Sequence, residues 1–515
     1  MRRLIGILIL PAIVAAVVGR EARAGQPDAA ELAALIDRHI DARVEAEGVR
    51  PAGPAGDAEF LRRVYLDLHG VIPTADQATT FLADTDPTKR ARLIDTLLAS
   101  SQYGAYLGDI WQAYLVSPLA DDYRVRSERF RQWLADRFNT KTWDRIASEL
   151  LAATGKLDEN PAVIYLVEGR LPRTVPDLTD IASRYLLGVR LNCAQCHDHP
   201  FVKWTQQDYW GMAAFFTQVQ TPGKPKLVYQ VGVKDYPEIT LASLKDGGMI
   251  DGFQLRPPTF LGGEELGAAK GTTNRAALAE WMTSPKNPYF ARAMVNRTWW
   301  RLFGRGIVRP VDDMHAANPP SHPELLELLS RRFVESGFDL KFLTRAIVSS
   351  HAYQRTSRAG DGPDKQAALF GRMSVKMLSA GQLYDSLATA FGPPAREGGA
   401  KARSDTRPDF VQFFSDDGDP DPTAYRRGIP HLLRQMNSGQ FAGRNVAALA
   451  ARVAKPGRSP DDVAADLFLT ILSRRPTADE QRLFRDHATR SDSVDAASRE
   501  LAWALMMTSE FSLNH

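Results

Sequence analysis

The chain carries only two cysteines, and both fall in one short run, Leu191-Asn192-Cys193-Ala194-Gln195-Cys196-His197-Asp198-His199-Pro200. The pattern C-x-x-C-H is the attachment signature of c-type haem: each thiol adds to one vinyl group and the adjacent imidazole reaches the iron. In that reading Cys193 and Cys196 hold the macrocycle and His197 is the haem-iron ligand. His199 lies too close along the chain to reach the opposite face, so it belongs to a second shell or to an alternative metal site. A distal ligand would come from Met212, Met314, His315 or His322. Three other chemistries share these residues. A structural or redox C-x-x-C disulfide leaves His197 incidental. A mononuclear zinc or iron site would draw Cys193, Cys196, His197 and His199 from seven residues, although neighbouring side chains rarely face one tetrahedral ion. The fourth is a plain pair of structural thiols, with no cofactor.

A second cluster, Asp312, Asp313, His315 and His322, places two acids and two histidines within eleven residues. These types in that density fit a catalytic acid/base pocket, a metal site or the distal side of a haem. The structural counter-reading makes Ser321 and Glu324 a capping box for a helix bearing Leu325, Leu326, Leu328 and Leu329, with His322 exposed in its first turn. Asn296-Arg297-Thr298-Trp299-Trp300-Arg301 mixes basic and aromatic residues. It fits a sugar or haem-propionate surface, or else a core pair Trp299/Phe303 with Arg297 and Arg301 on one neighbouring face. The acidic run Asp416 to Asp421 suggests calcium, but an EF-hand alignment puts Pro422 where glycine is needed and Gly428 where the bidentate glutamate is needed. The chain has no Walker loop, no G-x-S-x-G elbow and no H-E-x-x-H helix.

The elements that must position these groups read as amphipathic helices with explicit stops. Phe60, Leu61, Val64, Tyr65 and Leu68 recur at helical spacing up to Gly70, Thr74 with Gln77 caps the next helix, and Asp86-Pro87 opens another. Further helices fit 102–116, 127–138, 143–153 and 177–187, the last stopped by Gly188. Thr205 and Asp208 start a helix carrying Trp210, Ala213, Ala214 and Phe216, so the cysteine run is a loop between two helices. Segments 227–231 and 238–241 look like short strands among frequent glycines and prolines. Helical periodicity resumes at Asn274, with a Gly-, Pro- and Asp-rich break at 392–425. Pro73-Thr74-Ala75-Asp76 is echoed by Pro476-Thr477-Ala478-Asp479, each opening a helix. The fold class expected is mainly α, with two helical domains joined by a small β-rich segment. The division is a signal peptide at 1–24, a helical domain at 25–220, a β-rich linker at 221–271 and a helical domain at 272–515.

Of 515 residues, 44% are hydrophobic and 24% charged, which excludes bulk disorder, collagen and a coiled coil. Met1 to Ala24 has a basic start, a short apolar run and Ala22-Arg23-Ala24 before Gly25, the pattern of a removable secretory signal. Its removal leaves 60 basic and 60 acidic residues, so no net basic field draws the chain to nucleic acid. After cleavage no membrane span is left. The localisation expected is periplasmic or secreted, the side of the membrane where c-type haem is attached.

Long motifs also resemble a known family, planctomycete-type secreted proteins with an N-terminal cytochrome-like domain and a C-terminal partner domain of unknown function. The N-terminal resemblance, about residues 30–220, rests on Phe60 to Leu68, Gly188-Val189-Arg190-Leu191 and Cys193 to Phe201 followed by Lys203-Trp204-Thr205. The C-terminal one, about 270–515, rests on Asn287-Pro288, Phe290-Ala291-Arg292, Val295-Asn296-Arg297, Phe303 to Val308, Asn318 to Leu325 and Trp503 to Phe511. Pro258 to Gly263 resembles the joining segment. The resemblance implies membership of secreted systems that serve degradation of complex polysaccharides, with an unidentified redox partner. The function expected is an exported c-type haem protein for electron transfer or haem-dependent oxidation. The alternative is a non-enzymatic helical scaffold or carbohydrate-associated module with a C-x-x-C disulfide, or a mononuclear metal site at the same motif.

Overall fold

The structure, a computed structural model, describes residues 28–116, 123–168, 171–172, 174–220, 232–235, 249–250, 253–254, 256–267, 272–358, 363–392, 407–414 and 443–515. The signal segment, both expected strands and the acidic run at 416–421 lie outside them. The fold is mainly helical, as the periodicity requires. The strands are two to four residues long and all pair antiparallel, as β1 (Gly155–Lys156), β5 (Gly232–Asp235) and β4 (Val219–Gln220) do in the order β1-β5-β4. Among the described residues no helix is long and apolar enough to cross a membrane.

The first helices are α1 (Ala29–Ala46), α2 (Asp57–Leu68), α3 (Ala75–Ala83), α4 (Lys89–Ala99) and α5 (Ser101–Leu115). The Thr74–Gln77 capping box starts α3 as its sequence spacing requires. Helix α4 begins two residues beyond Asp86-Pro87, because Asp86 uses its carboxylate to bind Thr88 N–H at 2.7 Å and so forms a turn of its own. Helix α6 (Tyr123–Thr140) lies along α5, where a Cβ on Gly104 would stand 2.3 Å from the Ala135 carbonyl. Only a glycine face allows that approach. Helix α7 (Trp143–Leu151) then packs on α10 (Asn274–Thr283), α1 on α13 (Leu340–Ser349), and α11 (Phe290–Phe303) on α12 (Pro323–Glu335). The first two pairs join helices before residue 221 to helices beyond residue 271. One apolar cluster therefore takes in residues from Leu32 to Met373 together with Leu469, and the segment 221–271 does not divide it.

A second cluster is built from α15 (Ala380–Phe391), α16 (Arg407–Phe414), α17 (Arg444–Val453), α18 (Pro460–Leu472), α19 (Ala478–Ala488) and α20 (Val494–Met507). Helix α16 falls within the expected loop at 392–425. Phe410 and Phe414, four apart, stack at 4.2 Å and bury one face of that short helix. The two clusters meet at α2, whose Leu61 belongs to the first and Leu66 to the second.

Helix α2 is not amphipathic in its surroundings. Every residue from Phe60 to Leu68 is buried, the charged ones included. Arg62 donates to the carbonyls of Ile471 at 3.3 Å and Phe511 at 2.8 Å, and Arg63 to those of Tyr353 at 2.8 Å and Arg355 at 2.9 Å. The Asp67 carboxylate accepts from Lys376 Nζ at 2.6 Å, the Tyr353 hydroxyl at 2.8 Å and Asn514 Nδ2 at 2.8 Å. Lys376 and Asn514 sit on β8 (Lys376–Met377) and β9 (Leu513–Asn514), which pair with each other. Each buried charge thus meets a partner several hundred residues away, which is the condition for burying it at all.

Removing one partner leaves the other charged and dry, so Asp67→Ala is expected to destabilise the fold by about 3–5 kcal/mol. The double variant Asp67→Ala/Lys376→Met should recover part of that loss. Urea unfolding of the three proteins checks both expectations, and equal midpoints for the single and double variants would contradict them.

Candidate functional site

Two helices carry the cysteine loop. Helix α8 (Val175–Ile181) is capped by Thr174, whose hydroxyl accepts Asp177 N–H, and it continues as a wider π turn over Ala182–Leu186. Gly188, at φ 68°, then reverses the chain. A Cβ there would lie 3.1 Å from Ala293 Cβ on α11, and the left-handed conformation is itself strained for any residue with a side chain. Beyond it Leu191 and Ala194 point inward, and a short 3₁₀ turn, Asn192–Gln195, turns Cys193 outward. Helix α9 (Gln206–Ala213) follows, with Thr205 and Asp208 forming its capping box. It grips the loop from behind: Gln206 N–H donates to the Asp198 carboxylate at 2.8 Å, Gln206 Nε2 to the Cys196 carbonyl at 3.0 Å, and Trp210 Nε1 to the Gln195 carbonyl at 3.0 Å.

Cys193, Cys196 and His197 are all exposed, and both thiols are free. His197 Nδ1 lies 2.8 Å from its neighbour's carbonyl, Asp198 O. A carbonyl only accepts, so Nδ1 carries the proton and the neutral ring keeps its lone pair on Nε2. That is the arrangement in which a histidine is held for a metal, its other nitrogen donating to a backbone oxygen. His199 is used within the loop: its Nδ1 accepts Phe201 N–H at 3.2 Å and its own N–H donates to the Trp204 carbonyl at 2.8 Å. Phe201 itself stands 82% exposed beside the motif. Among the described residues no group of three or more His, Cys, Asp or Glu side chains is placed to hold a metal ion. The four motif ligands therefore do not gather as a mononuclear centre in this conformation.

The second cluster is divided. Asp312 is fully buried and ion-paired with Arg184 and Arg190; Arg190 Nη2 approaches it at 2.6 Å and Nε at 2.9 Å. Burial opposes its ionisation. The hydrogen bond from Arg184 and the charges of Arg184, Arg190 and Arg297 more than offset this and hold the carboxyl below its usual range. Two residues on, Met314 N–H donates to the Gly188 carbonyl at 3.0 Å. Residues 312–314 thus clamp the chain reversal that leads into the cysteine loop. The Asp313 carboxylate lies 3.6 Å from His315 Nε2.

His322 faces elsewhere, with Ser321 Oγ at 3.0 Å and the Phe370 ring at 5.2 Å. It is itself the N-cap residue of α12, without a side-chain cap bond, and it is buried. The Ser321–Glu324 capping box is absent because Ser321 Oγ donates to the Ile307 carbonyl instead, at 3.1 Å. Met212, one of the expected distal ligands, is completely buried on α9, turned away from the outward face of the loop. Trp299 and Phe303 stack at 4.2 Å as a core pair.

Sequence reasoning missed Arg184 and Arg190 as anchors. Arg190 was visible inside Gly188-Val189-Arg190-Leu191, but nothing local pairs it with an aspartate 122 positions away.

Against known proteins, residues 35–221 match the family model PSCyt2, described as a protein of unknown function (DUF1549). Residues 274–438 match PSD1, described as a protein of unknown function (DUF1553). The chain thus has a two-domain arrangement whose C-terminal domain is of unknown function. No curated protein and no solved structure matches it.

Two outcomes follow from these contacts. Asp312→Ala should cost about 2–3 kcal/mol, less than a wholly buried pair because both arginines reach water, and should speed hydrogen exchange at the Val189 and Ala194 amides. Unchanged exchange there would separate Asp312 from the loop. Burial, then Arg43, push the His322 imidazole down to about 4, against Glu324, which raises it. The unfolded chain therefore binds this proton more readily, and stability present above about pH 6.5 is lost as pH falls towards 4. His322→Gln should flatten that part of the stability–pH curve, measured by denaturant unfolding.

Proposed function

We propose that the chain is an exported c-type haem protein that transfers electrons or supports a haem-dependent oxidation, with the Cys193–His197 loop as its attachment site. The observation that carries this is the pairing of two free, outward thiols with a His197 imidazole whose Nδ1 is bonded to Asp198 O, which leaves Nε2 available as an iron ligand. The residues fit the group. A haem needs a single protein nitrogen on one face and two accessible sulfurs on its rim, and the loop presents all three to solvent. The group would supply one-electron redox chemistry.

The chain's own contribution is positional. Gln206 and Trp210 fix the loop's backbone through the Gln195 and Cys196 carbonyls, and the Arg190–Asp312 pair fixes its approach. Exposed Phe201 offers an apolar surface beside the motif for a flat prosthetic group to cover. In this reading the chain is a cytochrome-like, planctomycete-type protein, and residues 1–24 serve as a leader that takes it to the compartment where such haem is attached. Service in polysaccharide degradation, with a separate redox partner, completes the reading. The same outward thiols also suit a Cys193–Cys196 disulfide on a non-enzymatic helical scaffold.

Expression of the full chain with a c-type maturation system separates the two. A haem protein shows a Soret band and colour that survives acid–acetone extraction. Cys193→Ser/Cys196→Ser abolishes covalent attachment, and His197→Ala keeps it with a shifted spectrum. Colourless protein with a disulfide, or with two free thiols after maturation, overturns the haem assignment.

A further inference from the structure

The His197 ring is exposed, and an exposed neutral imidazole in water carries its proton on either nitrogen. Here the Asp198 carbonyl, at 2.8 Å, keeps the proton on Nδ1. That carbonyl is itself fixed from two sides.

It belongs to the trans peptide that joins Asp198 to His199. Such a unit is planar, with its C=O and N–H pointing in opposite directions. The His199 N–H of this unit donates to the Trp204 carbonyl at 2.8 Å. Trp204 is buried, its ring 6.3 Å from that of Tyr289 just ahead of α11. One edge of the peptide is therefore tied to the body of the protein, and the other is turned towards the His197 ring.

The Asp198 side chain makes the second hold. Its carboxylate accepts Gln206 N–H at 2.8 Å. Gln206 is the first residue of α9, where N–H groups lack partners within the helix and the helix dipole favours an anion. Thr205 and Asp208 satisfy each other at this end, Asp208 N–H donating to the Thr205 hydroxyl at 3.1 Å and Thr205 N–H to the Asp208 carboxylate at 2.8 Å. The Gln206 N–H is left over, and Asp198 takes it. An imidazole whose Nδ1–H is bonded to a carbonyl is a stronger metal ligand through Nε2. A stronger ligand favours the more highly charged ferric iron, and so a lower reduction potential.

We propose that Asp198 is a positioning residue for His197. Its carboxylate, tied to the start of α9, holds the 198–199 peptide so that the imidazole proton stays on Nδ1. On the reading of this loop as a haem site, on which this part rests, the same hold keeps the iron's reduction potential low.

The first test needs no haem. The full chain, labelled with ¹⁵N-histidine and kept at about pH 8, where an ordinary imidazole is neutral, reports the tautomer of His197 by nitrogen–proton couplings. Loss of the His197→Gln signals assigns the ring. The Nδ1–H form should predominate in the parent. Asp198→Ala, at an exposed position that spares the core, should shift the tautomer ratio about three- to tenfold towards Nε2–H. Asp198→Asn, whose amide oxygen can still accept Gln206 N–H, should restore the parent ratio. The proposal fails if the parent is mixed or if Asp198→Ala leaves the ratio unchanged.

The second test is the reduction potential of haem-loaded protein, which should rise in Asp198→Ala and stay near the parent in Asp198→Asn. An equal rise in both variants would make Asp198 a charge rather than a positioning group and would overturn the proposal. The two readings fail separately. Colourless protein with an Asp198-dependent tautomer supports the hold and removes the haem assignment, whereas attached haem with an Asp198-independent tautomer removes only the hold.

Discussion

The structure turns on the burial of charge along one short helix. Arg62, Arg63 and Asp67 are inside the protein, and none could be there without the carbonyls and side chains that meet them from residues 353–376, 471 and 511–514. A bare ion in the interior costs several kcal/mol or more, so the pairing is a condition of folding rather than an ornament on it. It also imposes order. The last strand of the chain has to reach β8, because Asn514 and Lys376 share the same carboxylate oxygen of Asp67. Helix α2 is thus the member through which the two apolar clusters are held in one register.

The same device recurs at smaller scale beside the cysteine loop. Asp312 is sealed in the interior and two arginines from the N-terminal half close over it, while the neighbouring backbone bonds to Gly188. The C-terminal half therefore supports the geometry of a motif that lies wholly in the N-terminal half. This gives a physical reason for the two matched regions to occur in one chain. The outward motif rests on a rigid underside built from Trp210, Gln206 and Leu191, so the exposed thiols and imidazole are presented by an ordered loop.

Much of the architecture was legible. The capping boxes at Thr74, Thr205 and Thr477 and the stop at Gly188 are local events, governed by a side chain and a backbone within four residues of each other. The core pairing of Trp299 with Phe303 follows from helical spacing in the same way. The readings that went astray depended on what a segment packs against. Ser321 was free to cap a helix by its spacing, but Ile307, fourteen residues earlier, takes its hydroxyl. His322 became a buried ring against Phe370 rather than an exposed first-turn residue. The acids and histidines of 312–322 are neighbours in sequence, yet a turn sends Asp312 to Arg184 and His322 to α12, so nearness along the chain did not become one pocket.

The amino-acid sequence alone determined the helical class, most helix starts and stops, and the residue types at the C-x-x-C-H motif, because each depends on periodicity or on contacts a few residues long. Only the tertiary structure decided which charges are buried, that Asp312 is an anchor, and that the motif faces outward with His197 Nε2 unencumbered. The buried charges and the Asp312 anchor arise from pairs separated by more than a hundred residues, whose energies depend on burial and distance, and neither quantity exists until the chain has folded.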